Sequence, residues 1–187
     1  VPKDAEYAGK TLMELYWGRR QNVFIIKIER KTEIILVPGG SVHVYGGDRV
    51  FAVGVAKALD RFRDYQNVGS KYSVMSLKDF MGYGDAEKQS PLSCIEYRVL
   101  QTDTFCDMLI RESRIQDRYH LMIVGLKTPY SKILELPTAG TLIEAGDVLW
   151  MMGSEDAIEE FEELCRRVAE EKGVTETGLE VQEASDI

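Results

Sequence analysis

Val37-Pro38-Gly39-Gly40-Ser41-Val42, followed by Gly46-Gly47-Asp48-Arg49-Val50-Phe51-Ala52-Val53-Gly54, returns later in the chain. The second occurrence is Leu136-Pro137-Thr138-Ala139-Gly140-Thr141-Leu142, followed by Ala145-Gly146-Asp147-Val148-Leu149-Trp150-Met151-Met152-Gly153. The Pro, the Gly-Asp pair and the closing Gly keep one spacing in both copies. Such self-similarity decides architecture before any single residue does, because each copy must be a folding unit. In each copy an apolar run is entered through Gly-Asp, where Gly supplies a positive φ and the Asp carboxylate bonds nearby backbone, so the pair reads as a turn.

Working outward, residues 9–15 are short and helix-permissive, with Leu12 and Leu15 on one face, and residues 23–28 are a β-branched and aromatic run. Residues 34–37 form a second short strand ended by Pro38, residues 49–53 a third, and residues 55–65 a helix with Ala58, Leu59 and Phe62 on one side. The second copy opens with a strand that the first lacks, residues 95–100, in which Ile95, Tyr97 and Val99 alternate with polar residues. Residues 104–112 are its short helix, and 121–126, 132–136 and 148–152 its remaining strands. Ser154 caps a closing helix whose Ile158, Phe161, Leu164, Cys165 and Val168 form an apolar stripe.

The pattern predicts an α+β fold of two tandem lobes, each a small, mostly antiparallel sheet with two helices. The first lobe covers 1–65 with an incomplete N-terminal strand, which suggests a piece of something longer. A linker with a short helix at 76–81 covers 66–91, the second lobe 92–172, and an acidic flexible tail 173–187.

Composition narrows the function. The 187 residues are 44% hydrophobic, enough to build a core, and 23 basic against 31 acidic residues give a net charge of −8. That balance argues against a nucleic-acid partner or an anionic membrane surface, which call for clustered Lys and Arg. No run reaches the roughly 18 apolar residues of a membrane span. Cys94, Cys106 and Cys165 are odd in number and widely spaced, unlike a zinc site or a disulfide framework, and read as buried thiols. His43 and His120 sit at unequal positions in the two copies, so neither a metal pair nor a triad is suggested. Ala8-Gly9-Lys10-Thr11 is no phosphate loop, because the Gly required five residues before Gly9 is Asp4. With Asp48 and Asp147 assigned to turns, no catalytic residue and no metal site is expected, and the chain reads as a non-enzyme.

In their order these residues resemble the C-terminal lobe of regulator-of-potassium-conductance domains, also called the TrkA C-terminal domain. The first copy is similar through Gly9, Lys10, Thr11, Leu12, Arg30, Pro38, Gly47, Asp48 and Gly54. The second is similar through Leu109, Pro137, Leu142, Gly146, Asp147 and Gly153, with Cys106-Asp107-Met108 in place of Gly-Lys-Thr and Lys127 in place of the Arg. The resemblance covers roughly three quarters of the chain.

It implies a ligand-sensing regulatory domain on the cytoplasmic face of the membrane, acting as a homodimer on the membrane transport domain of a potassium channel or cation/proton antiporter. The implied ligands are cyclic di-AMP, another nucleotide or a divalent cation. In the family, cyclic di-AMP sits at the dimer interface, with backbone groups before the Pro reading the base. Carried over, this points to Ile28, Arg30, Val37 and Pro38, and in the second copy to Leu126, Lys127, Leu136 and Pro137. Arg30 carries the physical argument, because a planar guanidinium at a strand end can grip a phosphate bidentately. The competing reading is a solvated Arg beside a packed strand, in a ligand-free dimerisation and assembly module of a transporter.

Overall fold

The structure, a computed structural model, describes residues 1–66, 92–131 and 133–173. The linker helix expected at 76–81 and the tail beyond Gly173 lie outside the described residues. The chain divides into two compact units, Val1–Pro91 and Leu92–Ile187.

The first unit contains α1 (Leu12–Leu15), α2 (Trp17–Gln21), β1 (Phe24–Glu29), β2 (Ile34–Leu36), β3 (Arg49–Val53) and α3 (Ala56–Gln66). The start of α1 is set by a capping box: Thr11 Oγ1 accepts the N–H of Glu14 at 3.2 Å, and the Glu14 carboxylate accepts the N–H of Thr11 at 2.8 Å. Tyr16, left-handed at φ 50°, ends α1 and turns the chain into α2. The sheet order is β2-β1-β3 with both ladders antiparallel, Lys27 standing opposite Leu36 on one side and Phe51 on the other. Ile25 and Ile28 reach a core shared with Leu15, Trp17, Val23, Val44, Ala58 and Phe62. Tyr7 and Phe62 pack edge-on against the Trp17 ring, at 5.5 and 5.1 Å between centroids.

The second unit contains β4 (Leu92–Arg98), β5 (Met108–Leu109), α4 (Ile110–Ser113), α5 (Ile115–Tyr119), β6 (Met122–Lys127), β7 (Leu142–Ile143), β8 (Val148–Ser154) and α6 (Glu155–Lys172). Its main sheet runs β4-β8-β6 and a small second sheet pairs β5 with β7, all antiparallel. Tyr97, Leu121, Ile123, Leu149, Met151, Ile158 and Phe161 lie in its core. Ser154 Oγ accepts the N–H of Ala157 at 3.2 Å and so starts α6 where the sequence places it. Tyr97 carries the one polar tip in this core, and its hydroxyl donates to the Asp103 carboxylate at 2.9 Å.

The fold class is the expected α+β one, with differences that have local causes. The helix expected over 9–15 begins only at Leu12, and in each unit a left-handed residue, Tyr16 or Arg114 (φ 54°), ends the first short helix and leads into a second one that the sequence reading did not assign. The helix expected over 104–112 begins only at Ile110, since Asp107, also left-handed at φ 62°, breaks it. The strand expected over 132–136 shrinks to one bridge, in which Leu126 and Glu135 exchange N–H to carbonyl bonds of 2.9 and 2.8 Å. Leu134 lies over bare Gly125, where an added Cβ would come within 2.8 Å of its Cδ1. All three cysteines are free, and burial pushes the thiols of Cys94 and Cys165 up to about 11.

Hydrogen bonds place the two copies in register. Gly9 and Asp107 donate to Val44 and Ile143 at 2.7 and 2.8 Å, and Leu12 and Ile110 donate to Val42 and Thr141 at 2.9 Å each. Asp107 therefore stands where Gly9 stands, and Ile110, not Leu109, stands where Leu12 does.

Candidate functional site

The Gly-Asp turn of the first unit is built on Asp48. Its Oδ2 accepts the N–H of Tyr45 at 2.8 Å while its own N–H donates to the Tyr45 carbonyl at 3.1 Å, and Gly47 beside it takes φ 95°. The turn role read from the sequence is what the Asp does, but it also has a second partner. Arg30 Nε donates to both oxygens of Asp48, at 3.1 and 3.2 Å. The other guanidinium nitrogens donate to Glu33 at 2.6 Å and to the His43 carbonyl, and the group lies 4.8 Å over the Tyr45 ring.

Asp48 is 4% exposed and the Arg30 side chain 17%, so the pair is held largely out of water. Burial works against the charge on Arg30, and the bonds to Asp48 and Glu33 outweigh it and hold its pKa above the usual value. The physical result is a clamp that fixes the 43–48 turn to the end of β1. Each of its three nitrogens already has a partner, so three of the five N–H groups are committed to the protein rather than to a phosphate.

The second unit builds the same turn without the clamp. Asp147 Oδ2 accepts the N–H of Glu144 at 3.0 Å, its N–H donates to the Glu144 carbonyl at 3.1 Å, and Gly146 has φ 90°. Lys127 stands opposite Val148 as Glu29 stands opposite Arg49. The position of Arg30 is thus held by Thr128, and Lys127, which the sequence aligns with the Arg, corresponds to Glu29. Lys127 is exposed and forms no ion pair among the described residues.

Asp147 is 2% exposed with no cation beside it among the described residues. Burial raises its pKa, against the pull of the Glu144 N–H. A carboxyl that holds its proton more tightly when folded adds stability below its unfolded value of about 3.9, and loses it as pH rises through the folded value. Asp147→Asn removes that titration and keeps an acceptor for the Glu144 N–H. Denaturation followed from pH 3 to 8 is expected to show the wild type losing stability relative to this variant on the alkaline side of pH 4. The variant should be at least as stable at pH 7.

The remaining candidate positions separate into two kinds. Ile28 and Leu126 are core residues, each the next-to-last of its strand, so only their backbone could meet a ligand. Val37 and Pro38 follow β2, Leu136 and Pro137 follow the Leu126–Glu135 bridge, and both prolines are buried. Val37 donates its N–H to Ile26 at 2.9 Å and has φ 44°. A β-branched residue in that region is a genuine outlier that costs about 1–3 kcal/mol, and such outliers gather at clamps and switch regions. Arg30, whose N–H donates to the Glu33 carbonyl at 2.9 Å, closes the turn at the opposite end of the β1–β2 hairpin. The three residues of β2 lie between, about 10 Å at the strand rise. The structure therefore groups Val37 and Pro38 and leaves Arg30 apart from them.

Exposed apolar side chains flank these positions: Ile34 on β2, and Ile133 and Leu134 beside the second hairpin. They suit the faces of a planar base better than a phosphate. Glu33, His43 and Tyr45 complete the Arg30 clamp, and the sequence reading passed over them; the Arg30 to Glu33 and Tyr45 to Asp48 spacings of three were the available signals. A groove of about 900 Å³ along α6 is lined by Arg118, Tyr119, Phe161 and Leu164 together with a run of Glu followed by Arg166 and Arg167, and Arg166 pairs with Glu163 at 2.9 Å. No cluster of three metal-ligating side chains occurs among the described residues, and none of their helices is long and apolar enough to cross a membrane.

Comparison with known proteins follows the same division of the chain. The model of the TrkA-C domain matches residues 1–67 and again 94–166. No curated protein matches the chain. Among solved structures, the RCK_C domain dimer of S. agalactiae BusR in complex with c-di-AMP is 30% identical, with 35% of this chain and 87% of that one covered and a TM-score of 0.34. S. agalactiae BusR in complex with its busAB-promotor DNA is 29% identical over 36% of this chain and 33% of that one, TM-score 0.34. The GsuK channel bound to NAD is 10% identical over 84% of this chain and 50% of that one, TM-score 0.36. This chain thus spans half or less of the two longer proteins.

The BusR complex with promotor DNA corrects one expectation, that nucleic acid is excluded as a partner. A net charge counted over one segment sets no limit on what the rest of a longer protein contacts. The repeated motif, the two antiparallel units and the two matched segments lead to one assignment: the chain belongs to the TrkA-C domain family, which it carries as two domains in tandem.

Proposed function

We propose that the chain is the ligand-sensing regulatory part of a potassium channel or cation/proton antiporter, and that its ligand is a nucleotide such as cyclic di-AMP. The observation that carries this reading is the family match over both units, residues 1–67 and 94–166. Within each unit the ligand meets the segment that ends in the repeated Pro. In the first unit this is Ile28, Val37 and Pro38, where the Val37 backbone is held at a strained positive φ of 44°. In the second it is Leu126, Leu136 and Pro137, with Lys127 as the exposed cation for a phosphate. Arg30 holds the turn beside the first site instead of the ligand.

No chemistry is asked of the chain. A ligand with higher affinity for one conformation shifts the population toward it, and the attached transport domain responds to that population. The test is thermal unfolding of the chain with cyclic di-AMP, ATP, ADP or NAD at rising concentration. A ligand at about 100 times its Kd stabilises by roughly 2.7 kcal/mol, so a saturable rise in Tm of several degrees is expected with one of them. If none moves the Tm, the assembly module without a ligand is the better reading.

A further inference from the structure

The corner between α1 and α2 and the corner between α4 and α5 are one piece of structure built twice. Met13 and Arg111 donate their N–H groups to the carbonyls of Gly40 and Ala139 at 2.8 and 3.0 Å, and Arg20 and Arg118 donate theirs to Tyr16 and Arg114 at 2.8 and 2.9 Å. Tyr16 and Arg114, at φ 50° and 54°, each end the first helix of the pair and lead into the second. Met13, Tyr16, Arg19 and Arg20 therefore stand where Arg111, Arg114, Asp117 and Arg118 stand.

The chemistry at the two corners differs. In the second unit Arg111 pairs with Glu112 at 3.5 Å and Arg114 with Asp117 at 3.4 Å, so charge is balanced within the corner. In the first unit the same two places hold Met13, 63% exposed, and Tyr16, 47% exposed. Arg19 and Arg20 beside them are exposed and form no ion pair among the described residues, and Arg20 lies 5.7 Å over the Tyr16 ring. The carboxylate of this corner, Glu14, is turned back to the start of α1, where it accepts from the N–H and the hydroxyl of Thr11 at 2.8 and 2.7 Å. The net charge of the whole chain conceals the contrast. Residues 1–66 carry 11 Lys and Arg against 8 Asp and Glu, and residues 92–173 carry 9 against 16. At physiological salt a Debye length of about 8 Å screens the corner from acidic groups farther off than that.

We propose that the α1–α2 corner docks on an anionic membrane surface, with Met13 and Tyr16 entering the headgroup layer and Arg19 and Arg20 on lipid phosphates. Two exposed apolar side chains beside two uncompensated guanidinium groups call for a partner that is anionic and apolar at once. The side chains stand at a turn between helices of four and five residues, a shape to which a bilayer interface yields and for which a folded partner would need a matching cavity. A tyrosine at such an interface keeps its ring in the apolar layer and its hydroxyl in water, and a guanidinium meets a phosphate bidentately. The α4–α5 corner, with its Arg side chains already paired, makes no such contact. The proposal is independent of the nucleotide reading.

The test mixes the full chain with vesicles of phosphatidylcholine, alone or with about one-third phosphatidylglycerol, and separates bound from free protein by flotation. Saturable binding to the anionic vesicles, weakened by added salt, is expected, with little binding to the neutral ones. Arg19→Gln with Arg20→Gln, and separately Met13→Gln with Tyr16→Asn, should each lower the apparent affinity by about tenfold or more. Arg111→Gln with Arg114→Asn, at the matching corner, should change it by less than about twofold. Asn is used at 16 and 114 because it tolerates the left-handed backbone. In the unaltered chain, which asks no variant to fold, anionic vesicles should slow amide exchange over residues 12–21 and leave 110–119 unchanged. No binding, equal binding to both kinds of vesicle, or equal losses from the two corners overturns the proposal. So does a duplex oligonucleotide that protects residues 12–21 where vesicles do not, which would make the partner a nucleic acid.

Discussion

Arg30→Ala is expected to destabilise the first unit by about 3 kcal/mol at pH 7, because it leaves the nearly inaccessible Asp48 carboxylate without its cation. The value sits at the low end for a buried pair because Arg30 keeps some contact with water. Arg30→Lys should recover only part of the loss, since an ammonium cannot reproduce the fork that reaches Asp48, Glu33 and the His43 carbonyl together. Adding Asp48→Asn to Arg30→Ala should cost less than the two changes summed, as expected for groups that act on each other. Urea denaturation followed by circular dichroism measures all of these. A loss below about 0.5 kcal/mol, the range of ordinary surface changes, would return Arg30 to the role of an open phosphate ligand.

Trp17→Ala is expected to have the larger effect, about 3–5 kcal/mol. Trp17 is 2% exposed and lies between the edges of Tyr7 and Phe62, so its removal empties the middle of the first core. Its indole Nε1 is buried with no hydrogen-bond partner among the described residues. An unsatisfied buried donor carries a desolvation cost, and Trp17→Phe removes that donor while it keeps an aromatic ring. The phenylalanine variant should therefore lose less than half of what the alanine variant loses. Equal losses would mean that the indole nitrogen is satisfied in solution. Circular dichroism is again the readout, because Trp17 is one of only two tryptophans and fluorescence would change with it.

Much of the fold was legible in the chain because the turns are local. Gly47-Asp48 and Gly146-Asp147 close through bonds three residues long, and Ser154 caps its helix within one turn. The alternation of Ile95, Tyr97 and Val99 located β4 but placed it over 95–100, where the strand runs from Leu92 to Arg98. The alignment of Arg30 with Lys127 failed for a reason that spacing alone conceals. The residue that matches Arg30 is the uncharged Thr128, so the neighbouring cation Lys127, which matches Glu29, was aligned in its place. The helix starts slipped likewise, because Asp107 takes a left-handed conformation more usual for Gly.

At the candidate site the sequence located the hairpins but not the use made of Arg30. A strand-end Arg looks free when its partners are unknown, and Asp48 and the His43 carbonyl reach it only when the chain closes over 18 and 13 residues. The strained backbone of Val37 had no sequence signal beyond the Pro that follows it. Asp147 could not be told from Asp48, since the two differ in a residue distant along the chain.

The most direct test of the nucleotide-sensing reading is hydrogen exchange on the chain with and without saturating cyclic di-AMP. The account predicts slowed exchange confined to the amides of residues 26–37 and 126–136, the two segments that lead to Pro38 and Pro137. Unchanged exchange across both segments at concentrations up to the millimolar range would contradict it.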